Sequence, residues 1–396
     1  MKLALALPSA APGSRIPELD GMRGIGCVVV LLVHTWPAQT FFAWGLMEMF
    51  FVLSGFLISG ILLRTDLTRP LGLRNFLVRR ILRIWPVYFV ALGLAIALWL
   101  YKVHVDPARW SGISWWRCLF FLQFTDGYVD RAADWAAEYA PWFRMSWSLA
   151  VEEQFYVIWP LMMILLRGRR APMFAFCIVL LVSSVTIRAM HFPLNLLLTR
   201  GDGFVLGAVL AMVQESVDAG DERVRRNVNR WYWALIGCGL AAILPYLVDG
   251  YATGAVKNYG DIGRVGNWTL LVIAYALLFF GLIGLMRNGK LRGLKLFLGL
   301  PLFVWLGEVS YAIYMFQGTV RTATEDLLHA IATLPPTLVH ALAVCACIAM
   351  GPLSMKLIEG RFERVKKRFP IIVRAPDSTA PRPLLAEPER ERVVPA

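Results

Sequence analysis

Apolar runs of about twenty residues, the length that crosses a bilayer, recur along the chain, separated by short stretches in which arginines cluster. Read with helical periodicity they predict ten spans, near 22–37, 44–63, 84–101, 147–166, 172–190, 196–214, 231–249, 267–286, 297–317 and 335–356. Helix is the natural backbone for such runs, because lipid offers no partner to an unpaired N–H or C=O. The pattern predicts an all-α polytopic membrane protein with about ten transmembrane helices.

The polar stretches between the runs are not equivalent. Arg64, Arg69, Arg74, Arg79, Arg80 and Arg83 follow the second span. Further clusters occupy every second loop: Arg167, Arg169 and Arg170, then Arg223, Arg225, Arg226 and Arg230, then Arg287, Lys290, Arg292 and Lys295. Arg361, Arg364, Lys366, Lys367 and Arg368 follow the last span. Cations mark the cytoplasmic side of a membrane protein, so both termini are expected to be cytoplasmic, as an even number of spans requires. The longest opposite loop, about 102–146, mixes both signs and carries Trp110, Trp115, Trp116, Trp135 and Trp142, with Trp147 just beyond. Such aromatics suit the headgroup level, and they could also stack on sugar rings.

Composition agrees. The 396 residues are 58% hydrophobic and only 17% charged, against about 25% charged in a typical soluble domain. The net charge of +13 does not point to nucleic acid, since the cations are dispersed as topology signals. The six cysteines fall mostly in apolar runs without a CxxC, which argues against a disulfide framework or a zinc site. Arg15, Glu18, Asp20 and Arg23 interrupt the opening apolar stretch, so no cleavable signal peptide is expected. Residues 1–370 form one membrane domain. Residues 371–396, rich in Pro, Ala, Arg and Glu, are expected to be a disordered tail. No internal repeat or second soluble domain is predicted.

Charged groups inside spans are costly and need a reason. Arg23 and His34, in LDGMRGIGCVVVLLVHTWP, lie eleven residues apart, or about 16 Å along a helix. One helix would thus hold a cation at the cytoplasmic entrance and a potential base in the outer half. Arg80 and Arg83, in RRILRIWPVY, share a helix face and would form a phosphate clamp at a helix N-terminus. In SWSLAVEEQFYVIWP, Ser148, Glu152 and Tyr156 make one polar stripe, with Glu153 about 100° away. Either carboxylate could orient His34 and raise its basicity. Ser54 and Gly55 would allow close helix approach. Arg200 and Asp202 are expected to pair with each other. His104, His191, His329 and His340 lack metal-ligand spacing and are read as structural, so no metal site is expected.

Together these segments resemble the acyltransferase 3 family of membrane O-acyltransferases, which modify surface polysaccharides, O-antigen, nodulation factors and macrolides. The resemblance runs in order through LDGMRG and His34, FFVLSGFLIS, RRILRIWPVY, SWSLAVEEQFY, RGDGFVLGAVLA and LGEVSYAIYM. It implies a multi-pass protein of the bacterial inner (plasma) membrane. It also implies an acyl-coenzyme A donor, usually acetyl-coenzyme A, held at the cytoplasmic face by Arg23, Arg80 and Arg83. Catalysis would involve His34, Ser148 and Glu152 or Glu153, and the acceptor would be a hydroxyl of a carbohydrate or small molecule. His34 would act as general base or as transient acyl carrier. One departure stands out: where the family commonly has Trp-His after its SYxLYL segment, this chain has Phe316 and Gln317. A transporter or flippase of a glycan or lipid-linked intermediate, without covalent chemistry, would share the buried charges and the many spans. So would a scaffold subunit whose polar residues glue helices together.

Overall fold

The computed structural model describes residues 16–36, 41–110, 113, 115–123, 141–190, 196–220, 222–253 and 265–373. Ten long helices organise them. They are α1 (Pro17–Thr35), α2 (Met47–Arg64), α3 (Pro70–Val105), α4 (Trp147–Leu165) and α5 (Arg170–Ala189). After these come α6 (Leu197–Ala219), α7 (Glu222–Thr253), α8 (Val265–Arg287), α9 (Pro301–Ile331) and α10 (Pro336–Ser354). Among the described residues eight helices are long and apolar enough to cross a membrane, or nine if the short helix Arg292–Leu298 and α9, bent by 61°, count as one span. The first helix is outside that set because Glu18, Asp20 and Arg23 occupy its opening turns. The protein is therefore an all-α, multi-pass membrane protein.

Two expectations change. The third helix is 36 residues long and starts at Pro70, well before the apolar run does. Arg74, Arg79, Arg80 and Arg83 continue it, since arginine is a good helix former when its head can leave the apolar face. Arg80 and Arg83 thus lie far inside the helix and not at its N-terminus. Second, Arg200 and Asp202 do not pair. Residues two apart point to different sides of a helix, so Asp202 receives Arg188 at 2.8 Å, while Arg200, where α6 departs from helical geometry, pairs with Glu48. All four side chains are buried.

Small residues set the closest packing. A Cβ on Gly55 of α2 would lie 2.1 Å from the carbonyl oxygen of Phe204 on α6, and one on Gly207 of α6 would lie 2.1 Å from that of Val52. The expected close approach at Gly55 is thereby explained. Between α1 and α9, a Cβ on Gly24 would sit 2.2 Å from Phe303 O and one on Gly307 1.9 Å from Asp20 O. Further along, Cys27 Sγ donates to Ser310 O at 3.3 Å, so the two helices run parallel.

The long loop after α3 folds back on that helix. Trp99 Nε1 donates to Trp110 O at 2.8 Å, Trp142 Nε1 to Ala95 O at 3.3 Å, and Tyr88 hydroxyl to Cys118 O at 2.6 Å. Trp142 is buried and Trp116 exposed, so these tryptophans divide between packing and surface. Trp135, Asp126, Asp130, Asp134 and Glu138 lie outside the described residues, as does His191. Of the expected tail, residues 371–373 are described: Asp66 N donates to Ile372 O at 2.8 Å and Thr65 bridges to Val373. Residues 374–396 lie outside the described set.

Replacing Gly307 by Ala forces α1 away from α9 and is expected to cost about 1–3 kcal/mol or more. Gly237→Ala, where nothing lies within 4 Å, is expected to gain about 0.5–1 kcal/mol from helix propensity. Thermal unfolding of both variants in detergent checks the contrast.

Candidate active site

The arginines and the acidic stripe meet in one cavity of about 1260 Å³. Its wall includes Met47 and Arg64, the first and last residues of α2. It therefore follows that helix for about 26 Å, comparable to the roughly 30 Å of a bilayer's hydrocarbon core. Arg64, Arg225, Arg287, Lys295 and Lys366, from four of the basic clusters, line it together.

Arg23 arrives on α1 and Arg80 and Arg83 on α3, three residues apart, all facing the cavity. Arg23 bonds Asp20 Oδ1 at 3.3 Å. Arg80 lies over the rings of Phe76 and Tyr156, at 5.6 and 5.9 Å, and its buried Nε has no hydrogen-bond partner. The three cations are close enough for their charges to act on one another. Mutual repulsion in a partly desolvated space is unfavourable unless an anion lies among them. Glu152 offsets part of that repulsion. It accepts hydrogen bonds from Ser54 Oγ at 2.6 Å and from the Tyr156 hydroxyl.

Ser148 also lines the cavity, with its Oγ 2.6 Å from the Tyr314 hydroxyl, which itself donates to Met145 O at 2.6 Å. Tyr311, one turn earlier on α9, donates to Ile84 O at 2.9 Å and pins α9 against α3 beside Arg83. Ser54, Tyr311 and Tyr314 were not among the expected site residues. The spacing of the two tyrosines, i and i+3 within an apolar helix, was the available signal.

Two expected residues stand apart. Glu153 is not in the wall; it faces Trp85 on the next face of α4. His34 is not in the wall either, although Cys27, two turns before it on α1, is. The His34 Nδ1 lies 2.8 Å from Val30 O. A carbonyl oxygen only accepts, so Nδ1 carries the proton and Nε2 keeps its lone pair. The expected imidazole–carboxylate pair does not form in this structure: Glu152 belongs with the arginines and with Ser54 and Tyr156. Beyond His34, Arg321 meets Glu325 at 3.5 Å, Glu325 meets His340 Nδ1 at 3.0 Å, and Trp36 sits edge-on to His340 at 5.8 Å.

Comparison with known proteins is decisive on family. The acyltransferase 3 model, described as an acyltransferase domain, matches residues 16–355. The chain belongs to the acyltransferase 3 family. Among relatives in this family, it is 24% identical over 383 residues to the peptidoglycan O-acetyltransferase OatA of Listeria monocytogenes, covering 87% of this chain and 55% of that protein. It is 22% identical over 365 residues to the O-acetyltransferase OatA of Staphylococcus aureus, covering 87% and 56%. The chain thus spans about half the length of these curated relatives. No solved structure matches it significantly.

Ser54 and Tyr156 both donate to the same carboxylate oxygen of Glu152. Ser54→Ala and Tyr156→Phe should each cost about 1.5–3 kcal/mol, as for hydrogen bonds to a charged group. Because they share one acceptor, the double variant should be non-additive by more than about 0.5 kcal/mol. A double-mutant cycle in thermal unfolding measures that coupling.

Proposed function

We propose that the protein is an O-acyltransferase that takes an acetyl group from acetyl-coenzyme A at the cytoplasmic face and places it on a carbohydrate hydroxyl across the plasma membrane. The observation that carries this reading is the cavity that runs the length of α2 with Arg23, Arg80 and Arg83 clustered in its wall. A polyanionic donor relieves the repulsion among these guanidiniums, which are suited to phosphate oxygens. The cation-rich loops support a cytoplasmic entrance. The names of the relatives support acetyl as the group and a glycan as the acceptor.

In this reading Arg80 and Arg83 hold the donor's phosphates and Arg23 adds charge. Glu152, locked by Ser54 and Tyr156, fixes the arginine cluster and the Tyr156 ring beneath Arg80. The acyl thioester extends along the α1 side of the cavity, past Cys27, towards His34. There Nε2 removes the acceptor's hydroxyl proton, and the oxygen forms a bond to the thioester carbonyl carbon. The tetrahedral species then expels the thiolate by breaking the C–S bond. The imidazolium returns the proton to sulfur, so His34 ends as it began.

A second reading, movement of a polyanion without covalent chemistry, is favoured by one observation: His34 does not line the cavity that the arginines share.

Purified protein in proteoliposomes, given radiolabelled acetyl-coenzyme A and glycan chains, separates the two. The acyltransferase releases thiol and labels the glycan. His34→Ala should lower that rate by about 100-fold or more, and Arg80→Ala with Arg83→Ala should raise the KM for the donor by about tenfold or more. A His34→Ala variant that transfers at the wild-type rate, or a wild-type protein that moves the donor without releasing thiol, would exclude acyl transfer through His34.

A further inference from the structure

Gln317 of α9 is 1% exposed, yet neither its amide oxygen nor its amide nitrogen has a hydrogen-bond partner. A buried primary amide with both ends unsatisfied is destabilising, more so within a lipid-embedded bundle. A leucine would fill the space without that penalty. Such a group calls for something polar that arrives with a ligand.

Its position suggests what that is. α1 and α9 run parallel up to the contact of Cys27 Sγ with Ser310 O, and Leu31 and Ile313 continue their packing in one apolar cluster. Seven residues, two turns, carry α1 from Cys27 to His34 and α9 from Ser310 to Gln317. The faces agree as well. Cys27 and Leu31 pack with Val309, Ile313 and Cys347 in one apolar cluster; His34 extends the α1 side of that face by three residues and Gln317 the α9 side by four. Cys347 Sγ donates to the backbone oxygen of Gln317 at 3.4 Å, which fixes this turn against α10. One turn further on, Arg321 is close enough for its charge to act on His34.

We propose that Gln317 is a catalytic residue whose amide N–H receives the negative charge that develops on the acyl carbonyl oxygen beside His34. The inference rests on the acyl-transfer reading. While His34 Nε2 takes the acceptor proton and the new C–O bond forms, the carbonyl's electron pair moves onto its oxygen. A preorganised neutral donor, unpaired in the resting protein, stabilises that oxygen more than the starting carbonyl. When the C–S bond breaks, the pair returns to the carbonyl and the hydrogen bond weakens.

The test pairs Gln317→Leu with Gln317→Met, which keeps the length of the side chain but carries no hydrogen-bond donor. Thiol release from acetyl-coenzyme A with glycan chains gives kcat and KM, and thermal unfolding in detergent gives stability. Gln317→Leu should lower kcat by about 100- to 1000-fold, as for other lost oxyanion donors, with the KM for acetyl-coenzyme A held within about threefold. Its unfolding temperature should equal or exceed that of the wild type, because the unsatisfied amide is gone. Gln317→Met should lower kcat similarly. A kcat within about threefold of wild type in either variant, a defect carried mainly by KM, or a loss of activity in Gln317→Leu that follows a lower unfolding temperature would overturn the assignment. Absence of thiol release by the wild type would instead bring down the acyl-transfer reading, and this inference with it.

Discussion

A guanidinium inside a lipid-embedded bundle must be paired, hydrated or aimed at a ligand, since leaving it bare is prohibitive. That constraint sorts the internal arginines into two kinds. Arg188 and Arg200 are closed off: the first meets Asp202, Thr199 O and Thr269, the second Glu48, and none of the four ionic side chains is more than 3% exposed. These pairs tie α2 and α5 to α6, and α6 packs closely on α2 through Gly55 and Gly207. Arg80 and Arg83 are of the other kind. They line a cavity, near Arg23, with Glu152 offsetting part of the charge on Arg80. The first pairs hold the scaffold rigid; the second group is charge kept available.

The architecture was legible in the sequence wherever lipid imposes it. Apolar length and loop charge located ten helices, because backbone in hydrocarbon has few alternatives. Partners across helices were not legible. The choice of Glu48 for Arg200 and of Arg188 for Asp202 depends on which helices become neighbours, and spacing along one helix says only that Arg200 and Asp202 diverge. The length of α3 was hidden by its arginines, which look like a loop until their stems pack on a helix. Glu152 stands out in the sequence as an acid inside a span, but its donors, on its own helix at Tyr156 and across at Ser54, were not legible there. The expectation that it served His34 rested on depth alone, and depth does not specify azimuth.

The parallel α1–α9 pair converts these separate features into one device. Both helices can approach closely because Gly24 and Gly307 carry no side chain at the contact. Close approach fixes their register, and register then sets two levels. At the first, Arg23 and Cys27 on α1 and Tyr311 and Tyr314 on α9 border the cavity. At the second, His34 and Gln317 stand beyond its wall, below the Arg321–Glu325–His340 chain. In the proposed mechanism a polyanion among the arginines would stay at the first level, and a thin arm would have to pass along α1 to reach the second. Separation of this kind suits a thioester, whose reactive carbon should meet a base only at the far end of its carrier. In the proposed mechanism the base and the phosphate site share α1 without neutralising one another: two turns separate Cys27 from His34, and Leu31 and Ile313 in the apolar cluster between them set the imidazole apart from the guanidiniums.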